Sequence, residues 1–263
     1  MRLKLFLEAP HNSRIDINYN YKLSSAIYSL LRFGSKEFST FLHDIGYKLN
    51  GKSYKLFCFA LRFNEFKIID NKIKLIDPAL NLIISSPLID EFVKNFVLGS
   101  FETTSISITN NTEIIKFRIK QIESLPNIDI ISPVKLFLLS PLVLSTIKEK
   151  NGKLSQYYLR PEDSEDINRI LTSNLLNKAK LIFNKEINAE ALKLEWDKNY
   201  LMRHPRITKK ITINEFGKYP IDVIGMQAPF TLSGNLELIK IGYECGFGEK
   251  NSMGFGLTEV LND

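Results

Sequence analysis

Apolar residues near the start of the chain follow first the period of a strand and then that of a helix. Leu3, Leu5 and Leu7 alternate with other side chains, which predicts an opening β-strand. From Leu23 to Leu31, apolar residues recur three and four positions apart, as on the buried face of a helix, and Gly34 ends that pattern. The chain is therefore expected to begin with a strand and an amphipathic helix.

A shorter helix and two strands are expected next. Ser35 suits a helix N-cap and Gly46 suits a helix end. Four apolar residues between them are expected to face inward: Phe38, Phe41, Leu42 and Ile45. The aromatic-rich, alternating segments Ser53–Phe63 and Lys67–Ile76 together predict a β-hairpin.

Helical spacing from Pro87 to Val97 and alternation from Thr112 to Ile122 complete the first half. The order β-α-β-β-α-β is that of a ferredoxin-like domain. The second half is interpreted in the same way, with these strands and helices: strands Ile130–Leu139, Ala191–Tyr200, Ile207–Ile213, Tyr219–Thr231 and Gly254–Leu261, and helices Asp163–Phe183 and Gly234–Gly242. We expect an α+β protein of two tandem ferredoxin-like (RRM-like) domains, residues 1–123 and 124–263, joined near Glu123–Asn127.

The composition fits such a folded protein. Of 263 residues, 44% are hydrophobic and 24% charged, and no segment reaches the ~18 uninterrupted apolar residues of a membrane-spanning helix. The apolar run at the start meets Glu8 too early for a secretory signal. Cys58 and Cys245 form no C-x-x-C pair, which excludes a zinc site built on that spacing and argues against a disulfide framework. The expectation is a cytoplasmic protein with reduced cysteines and no membrane partner.

Basic residues exceed acidic ones by 35 − 29 = 6, and the sequence pI is near 9.1. The excess is concentrated in two segments. Residues 45–64 contain four basic residues and no acidic one, and residues 193–218 contain seven basic and three acidic ones. Basic surfaces of this kind suit a phosphate-rich partner. Solvated lysines at strand edges and in loops explain the same charges about equally well.

Five of the thirteen glycines fall in the segment Gly242–Gly256, between a predicted helix and a predicted strand. Glycine permits a positive φ and close approach of another backbone. Successive N–H groups in such a loop, with Lys250 at its middle, can bind phosphate oxygens. A helix end, a bulge or a tight turn also explains the glycines. The order helix–loop–strand excludes the Rossmann fingerprint, and Lys250 lacks the Walker context.

The segment contains the pattern G-h-G-x5-G-h-G, in which h is hydrophobic, from Gly246 to Gly256. This pattern resembles the hallmark of the repeat-associated RNA-binding proteins of CRISPR systems. The fuller string is similar to that of the Cas-six family, endoribonucleases that process precursor CRISPR RNA. The resemblance is strongest at the two ends of the chain. It implies CRISPR repeat RNA, as precursor and as mature guide RNA, as the partner, and it makes other subunits of a surveillance complex and a homodimer candidate partners.

Three residues match the positions at which this family commonly carries its active site. His43 lies at the rim of the second predicted helix, Tyr28 flanks the apolar face of the first, and Lys55 lies on the predicted strand that follows. Each side chain alone is explained as well by a helix end, a domain edge or a solvated surface. The resemblance implies that Tyr28, His43 and Lys55 are catalytic, with Lys52 as the alternative to Lys55.

Those residue types suit cleavage of RNA without a metal. The reaction needs a base for the ribose 2′-OH, an acid for the leaving 5′-oxygen and a cation for the phosphorane charge, and it leaves a 2′,3′-cyclic phosphate and a 5′-OH. Histidine serves as base or acid and lysine carries the charge. Tyrosine needs a lowered pKa to act as a base, or else positions a reacting oxygen. No cluster of Asp, Glu and His indicates a metal site, so no metal or other cofactor is expected.

RNA is expected to contact both the loop and the second basic segment. The predicted contacts are Gly246, Gly248, Lys250, Gly254, Gly256, Arg203, Arg206, Lys209 and Lys210. The alternative function is a non-catalytic repeat-RNA binder or a structural subunit of a surveillance complex, because such relatives share the loop and the fold. Phosphoesterases with paired H-x-[ST] motifs are excluded, since only His11 has a serine or threonine two positions later.

Overall fold

The computed structural model of the chain describes residues 1–110, 113–150, 152–184, 186–213 and 219–261, with the backbone alone for Asn110 and Lys150. Thr112, at the start of a predicted strand, and the last part of the basic segment 193–218 lie outside these residues. Within them, no helix is both long enough and apolar enough to cross a membrane.

The first half contains the predicted ferredoxin-like elements, with additions. In chain order its described elements are β1 (Arg2–Glu8), β2 (Arg14–Asp16), α1 (Asn20–Gly34), α2 (Lys36–Thr40), a π-helical turn (Phe41–Ile45), β3 (Tyr47–Leu49), β4 (Lys52–Tyr54), β5 (Cys58–Phe63), β6 (Phe66–Ile69), β7 (Lys72–Leu75), β8 (Ala79–Ser85), a second π-helical turn (Ile89–Val93), α3 (Lys94–Thr103), β9 (Ser105–Asn110) and β10 (Glu113–Ser124).

Five of these strands form one antiparallel sheet in the order β5-β8-β1-β10-β9. The first four have the ferredoxin-like arrangement, in which the opening strand lies between the third and the fourth. Helices α1 and α3 connect them and pack on the sheet through a core that includes Leu5, Ile27, Phe96 and Phe117, all fully buried. β9 extends the edge beyond the predicted fold.

The second half has its own sheet and core. Its described elements are β11 (Val134–Leu138), β12 (Ser145–Lys150), β13 (Lys153–Tyr158), α4 (Ser164–Phe183), β14 (Lys193–Trp196), α5 (Lys198–Arg203), β15 (Thr208–Ile213), β16 (Ile221–Met226), β17 (Pro229–Ser233), α6 (Leu236–Cys245), a 3₁₀ turn (Asn251–Met253) and β18 (Thr258–Val260).

The second sheet, β14-β17-β11-β18, repeats the arrangement of the first, with α4 and α6 as connecting helices. Two hairpins are inserted into it. β12–β13 follows the opening strand, and β15–β16 separates β14 from β17. The α+β fold with two tandem ferredoxin-like domains is therefore confirmed. The boundary between residues 123 and 124 stays a prediction.

The strands of the first half differ from the predicted hairpin. Segment Ser53–Phe63 is not one strand, because residues 55–57 separate β4 from β5 and Leu56 has a positive φ of 52°. β5 pairs with β8, which the sequence analysis missed, and not with segment 67–76. That segment forms a hairpin of its own, β6–β7, because Asp70 and Asn71 both adopt positive φ in a tight turn.

Three further predictions are wrong. The predicted strand Tyr219–Thr231 is two strands, β16 in a hairpin with β15 and β17 in the second sheet. Ile45 does not face inward but is exposed, because the helix widens into a π-helical turn at Phe41–Ile45 and the 3.6-residue period does not continue through it. The predicted strand Ala191–Tyr200 is a strand followed by a helix: Asp197 ends β14 and its side chain caps α5 by accepting a hydrogen bond from the Tyr200 N–H.

Arg2 connects the two sheets. Its guanidinium is buried and donates hydrogen bonds to the carbonyl oxygens of Thr258 (2.6 Å) and Tyr243 (2.7 Å). It also lies 3.7 Å from the centroid of the Tyr243 ring, a cation–π contact. Residues of β18 and α6 thus hold a charge that belongs to β1, and the two domains share a packed interface.

Candidate active site

Tyr28 extends from α1 next to the buried Ile27, and its ring is half-buried at the edge of the first core. The ring meets Phe57 edge-to-face at a centroid distance of 5.7 Å, and His43 at 5.0 Å. Its hydroxyl forms a hydrogen bond with the side chain of Ser252. Burial raises the pKa of Tyr28 above its ordinary value, and the Ser252 bond opposes this only in part. Tyr28 is therefore a neutral phenol near neutral pH.

His43 lies in the π-helical turn after α2, which Gly46 ends with a φ of 65°. Its side chain is 61% exposed, and its Nδ1 lies 2.7 Å from Oδ1 of Asp44. A carboxylate in this position fixes the proton on Nδ1 and leaves Nε2 to exchange a proton with a ligand. The sequence analysis missed Asp44, although it is the next residue in the chain.

Lys55 lies in the break between β4 and β5, not on a strand as predicted. The positive φ of Leu56 turns the chain there. The Lys55 Nζ donates a 2.8 Å hydrogen bond to the carbonyl oxygen of His43. Gly46 leaves room for the lysine, because a Cβ there would lie 2.9 Å from Lys55 Cδ. The pKa of Lys55 is lowered, because burial lowers it by more than the nearby Asp44 carboxylate raises it.

The structure therefore brings Tyr28, His43 and Lys55 together from α1, the π-helical turn and the break between β4 and β5. Lys52, the alternative, is 65% exposed and its Nζ lies 3.8 Å from Oε1 of Glu249. Among the described residues, Lys52 forms no hydrogen bond or ion pair with the π-helical turn that carries His43, whereas Lys55 is bonded to that turn. Two local backbone features bring Tyr28, His43 and Lys55 together: a π-helical turn and a strand break. Hydrophobic periodicity reveals neither of them.

The glycine-rich loop, residues 246–256, packs inside the protein. Gly246, Gly248, Gly254 and Gly256 are all buried and all have positive φ, between 73° and 85°. A Cβ on Gly256 would lie 1.9 Å from the carbonyl oxygen of Phe247, and one on Gly248 would lie 2.3 Å from that of Val143. The sequence interpretation, in which glycine leaves space for an RNA backbone, is corrected in this respect: the close approach is between segments of the protein. Contact of these residues with RNA stays a prediction.

A buried lysine of α4 holds the loop in shape. The Lys178 Nζ donates to the carbonyl oxygens of Gly246 (2.7 Å) and Gly248 (3.0 Å) and to Oδ1 of Asn251 (2.7 Å). The Asn251 amide nitrogen in turn donates to the carbonyl oxygens of Phe247 and Phe255, both at 3.0 Å. Burial lowers the pKa of Lys178 to about 8. The sequence analysis missed this residue, because a lysine in a helix gives no sign of burial.

The loop also docks on α1. The Asn20 amide donates to the carbonyl oxygen of Met253 (2.9 Å), and the Ser24 hydroxyl donates to that of Ser252 (2.7 Å). Asn20, Ser24 and Tyr28 are spaced four residues apart and so share one face of α1. This contact places Ser252 of the second domain against the Tyr28 hydroxyl of the first. Ser252 is a second residue of the site that the sequence analysis missed.

A cleft of about 900 Å³ adjoins these residues. Its walls are the segment 52–57, the hairpin β12–β13, one face of α4 and residues 248–252 of the loop. Within the part of the chain that the structure describes, five cationic side chains and a single carboxylate, Glu249, line it; the cationic ones are Lys52, Lys55, Arg169, Lys178 and Lys250. Lys55 belongs both to the cleft and to the catalytic cluster (the candidate residues Tyr28, His43 and Lys55), so a polyanion bound in the cleft would lie beside them.

The other predicted RNA contacts lie elsewhere. Arg203 is exposed at the end of α5 and Arg206 is exposed just after it. Lys209 and Lys210 are exposed on β15, where Lys210 forms an ion pair of 3.1 Å with Asp222. None of the four lines the cleft. All four lie outside the cleft, in the chain segment 203–210, and their contact with RNA stays a prediction.

Known proteins resemble this chain along its whole length. Two family models match it in succession: "CRISPR-associated protein Cas6, N-terminal" over residues 14–123 and "CRISPR associated protein Cas6, C-terminal" over residues 125–260. A Methanocaldococcus jannaschii protein named "CRISPR-associated endoribonuclease Cas6 1" is 32% identical over 100% of this chain and 94% of its own length. The chain belongs to the Cas6 family.

Further similarities extend over the whole Cas6 chain. A Pyrococcus furiosus protein named "Putative CRISPR-associated endoribonuclease-like protein Cas6" is 26% identical over 100% of both chains. A solved structure described as "CRISPR associated protein Cas6" covers 100% of this chain and 99% of its own, with 30% identity and a TM-score of 0.74. The predicted family and the endoribonuclease class are thus confirmed, whereas the individual site residues stay predictions.

Proposed function

We propose that this Cas6 protein cuts CRISPR repeat RNA beside the cleft, by attack of a ribose 2′-OH on the adjacent phosphate. The 2′-oxygen forms a bond to phosphorus and its proton passes to a base. The bond from phosphorus to the 5′-oxygen breaks, and that oxygen takes up a proton. The products are an upstream fragment ending in a 2′,3′-cyclic phosphate and a downstream fragment with a 5′-OH.

One observation carries this proposal: Tyr28, His43 and Lys55 converge at the end of a cleft in which five of the six charged side chains among the described lining residues are cationic. His43 is the proton-transfer group, because its side chain is 61% exposed and Asp44 orients its ring through Nδ1. Lys55 supplies the positive charge for the phosphorane. Tyr28, whose raised pKa makes it a poor base, orients a reacting oxygen through its hydroxyl.

A substrate with one changed atom tests the reaction. Wild-type protein is incubated in EDTA with its host's repeat RNA, and with the same RNA carrying a 2′-deoxy nucleotide just upstream of the cut. We expect cleavage of the first and none of the second, and mass spectrometry should find a cyclic phosphate or its hydrolysis product. The deoxy RNA should bind and inhibit competitively, because the phosphate contacts remain. Cleavage of the deoxy RNA, or an upstream 3′-hydroxyl, would contradict the mechanism.

The proposed partners are precursor and mature guide RNA. Assembly with other subunits of a surveillance complex, or with a second copy of the chain, is proposed from the family alone. Size-exclusion chromatography with and without repeat RNA measures the copy number. Tight binding of intact repeat RNA with no product, at every pH from 6 to 9, would favour the non-catalytic alternative.

A further inference from the structure

One face of α4 forms the floor of the cleft. Six of its residues line it, at intervals that keep them on one side of a helix: Arg169, Ile170, Ser173, Asn174, Asn177 and Lys178. Their depth differs. Arg169 and Ser173 are exposed at the rim, whereas Asn174 is only 9% exposed. Asn174 thus lies at the bottom of the cleft, one turn from the lysine that holds the loop.

The Asn174 side chain has an unmet hydrogen-bonding capacity. Its Oδ1 is buried and accepts no hydrogen bond from any described residue. Other asparagines of α4 are bonded: Asn177 donates to the Tyr54 hydroxyl (3.0 Å), and Asn168 accepts from the Leu194 N–H (2.9 Å). A buried amide without a partner destabilises a protein, so such a group calls for an explanation. The Asn174 side chain lines the cleft, so rotation of its amide outward would let a ligand in the cleft supply the partner.

The wall opposite α4 suits a flat, apolar surface. Ile147 and Leu154 of the hairpin β12–β13 line the cleft and are 69% and 77% exposed. They lie on the same face of the hairpin, because Leu154 pairs with Glu149, two residues after Ile147. Cationic side chains also line the cleft. The cleft's volume of about 900 Å³ lies within the range of ~300–1,000 Å³ that is usual for ligand pockets.

We infer that this cleft is a nucleotide pocket, in which an unpaired base of the repeat next to the cut lies between α4 and the hairpin and is read by the Asn174 amide. The amide places a donor beside an acceptor, which is the complement of a base edge such as N6 and N7 of adenine. Lys55 joins the pocket to the catalytic cluster, so the bound nucleotide neighbours the scissile phosphate. This inference rests on the proposed function.

Thermal stability gives the first test. Asn174→Leu removes the unbonded amide at nearly constant volume, and we expect a melting temperature equal to or above that of the wild type. Asn168→Leu is the matched control, because its amide accepts a backbone hydrogen bond and its loss should lower the melting temperature. A clear fall for Asn174→Leu would mean that the amide serves the fold, which would overturn the inference.

Base recognition gives the second test. Repeat RNAs carrying an abasic site at each unpaired position near the cut are compared in binding and in single-turnover cleavage. The wild type should lose roughly 5- to 150-fold at one position, as expected for one well-bonded base. Asn174→Leu should lose little at that position and behave normally elsewhere. The double variant Ile147→Ser, Leu154→Ser, altered only at exposed residues, should show the same insensitivity with its fold intact.

The outcomes separate the two proposals. Efficient wild-type cleavage, together with equal abasic profiles for the wild type and both variants, would overturn the pocket and leave the function standing. Failure of the wild type to bind or cut the intact repeat would overturn the proposed function, and this inference with it.

Discussion

The catalytic cluster and the glycine-rich loop meet at one site but are built in opposite ways. His43 and Lys55 lie at the surface, in a π-helical turn and a strand break, and a few hydrogen bonds hold them. The loop is buried, and Lys178, Asn251 and α1 bind its backbone from several sides. The side chains proposed to react with the substrate, those of His43 and Lys55, are accessible. The loop that contacts Tyr28 is instead held in place by many hydrogen bonds.

This difference predicts how substitutions in each region affect the fold and the activity. A substitution in the cluster should remove chemistry and leave the fold, because the exposed side chains bury little surface. A substitution in the loop should disturb the fold and the chemistry together, because the loop carries Ser252 to Tyr28. The predictions below separate the two behaviours.

The largest effect is expected for His43→Ala. Loss of one proton-transfer group should slow single-turnover cleavage by ~10²–10⁴-fold. Binding of repeat RNA and the melting temperature should change little, because the side chain is 61% exposed. His11→Ala, which alters an exposed histidine in the loop after β1, is the control and should cut normally. Unimpaired cleavage by His43→Ala would remove His43 from the site.

Lys178→Met should damage both fold and activity. The variant keeps the length of the side chain but leaves three buried acceptors without their donor, at a cost of about 1–3 kcal/mol for each unsatisfied group. We expect a lower free energy of unfolding in urea and slower cleavage at saturating RNA. Lys180→Met, on the exposed side of the same helix, is the control. Wild-type stability of Lys178→Met would show that the loop is held by other contacts.

Gly256→Ala should destabilise the protein without touching any side chain of the cluster. Its Cβ would lie 1.9 Å from a backbone oxygen, so the loop must shift, and the positive φ alone costs of order 1–3 kcal/mol. Gly51→Ala is a close control, since Gly51 has nearly the same φ, 73° against 74°, with nothing within 4 Å. The difference between the two melting temperatures isolates the packing. Equal values would mean that strain, and not close approach, requires the glycine.

The pH dependence of stability should reveal Lys178. Its pKa in the folded protein, about 8, is below the ordinary value of 10.5, so the unfolded chain binds more protons between these two pH values. The contribution of Lys178 to the free energy of unfolding therefore rises from pH 8 to pH 10.5 and is constant below pH 8. The stability deficit of Lys178→Met should widen over that interval. Burial raises the pKa of the Cys58 and Cys245 thiols, and this contribution is removed when the stability curve of Lys178→Met is subtracted from that of the wild type. A constant difference between the two curves would contradict the lowered pKa of Lys178.

The smallest effect is expected for Arg206→Ala, outside both regions. If Arg206 binds one phosphate, its loss should weaken all repeat RNAs alike and reduce the slope of log affinity against log salt by about 1. Lys116→Ala, an exposed lysine of β10, is the control. An unchanged salt slope for Arg206→Ala would limit RNA binding to the cleft.

Sequence patterns predicted the ferredoxin-like class of both domains, because buried strands and amphipathic helices leave strong periodic signals. They did not predict β8, since a second apolar run after a hairpin resembles a continuation of it. The family resemblance, first indicated by the glycine-rich loop, pointed to Tyr28, His43 and Lys55 as catalytic residues. It did not point to Asp44, Ser252 or Lys178. Ser252 and Lys178 act through neighbours that only the folded chain brings together, whereas Asp44 acts on the residue next to it in the chain, where no hydrophobic pattern marks it.

The bond from Arg2 to Thr258 has a consequence for how the protein is made. During synthesis the first domain is complete long before residues 243 and 258 leave the ribosome. Until then the Arg2 guanidinium lacks both carbonyl acceptors and the Tyr243 ring. Burial without partners is costly for a charge, so the nascent first domain keeps this end of β1 open to water. The Arg2 contacts form only when the final strand is available. The two domains of the mature protein should therefore unfold in one cooperative transition.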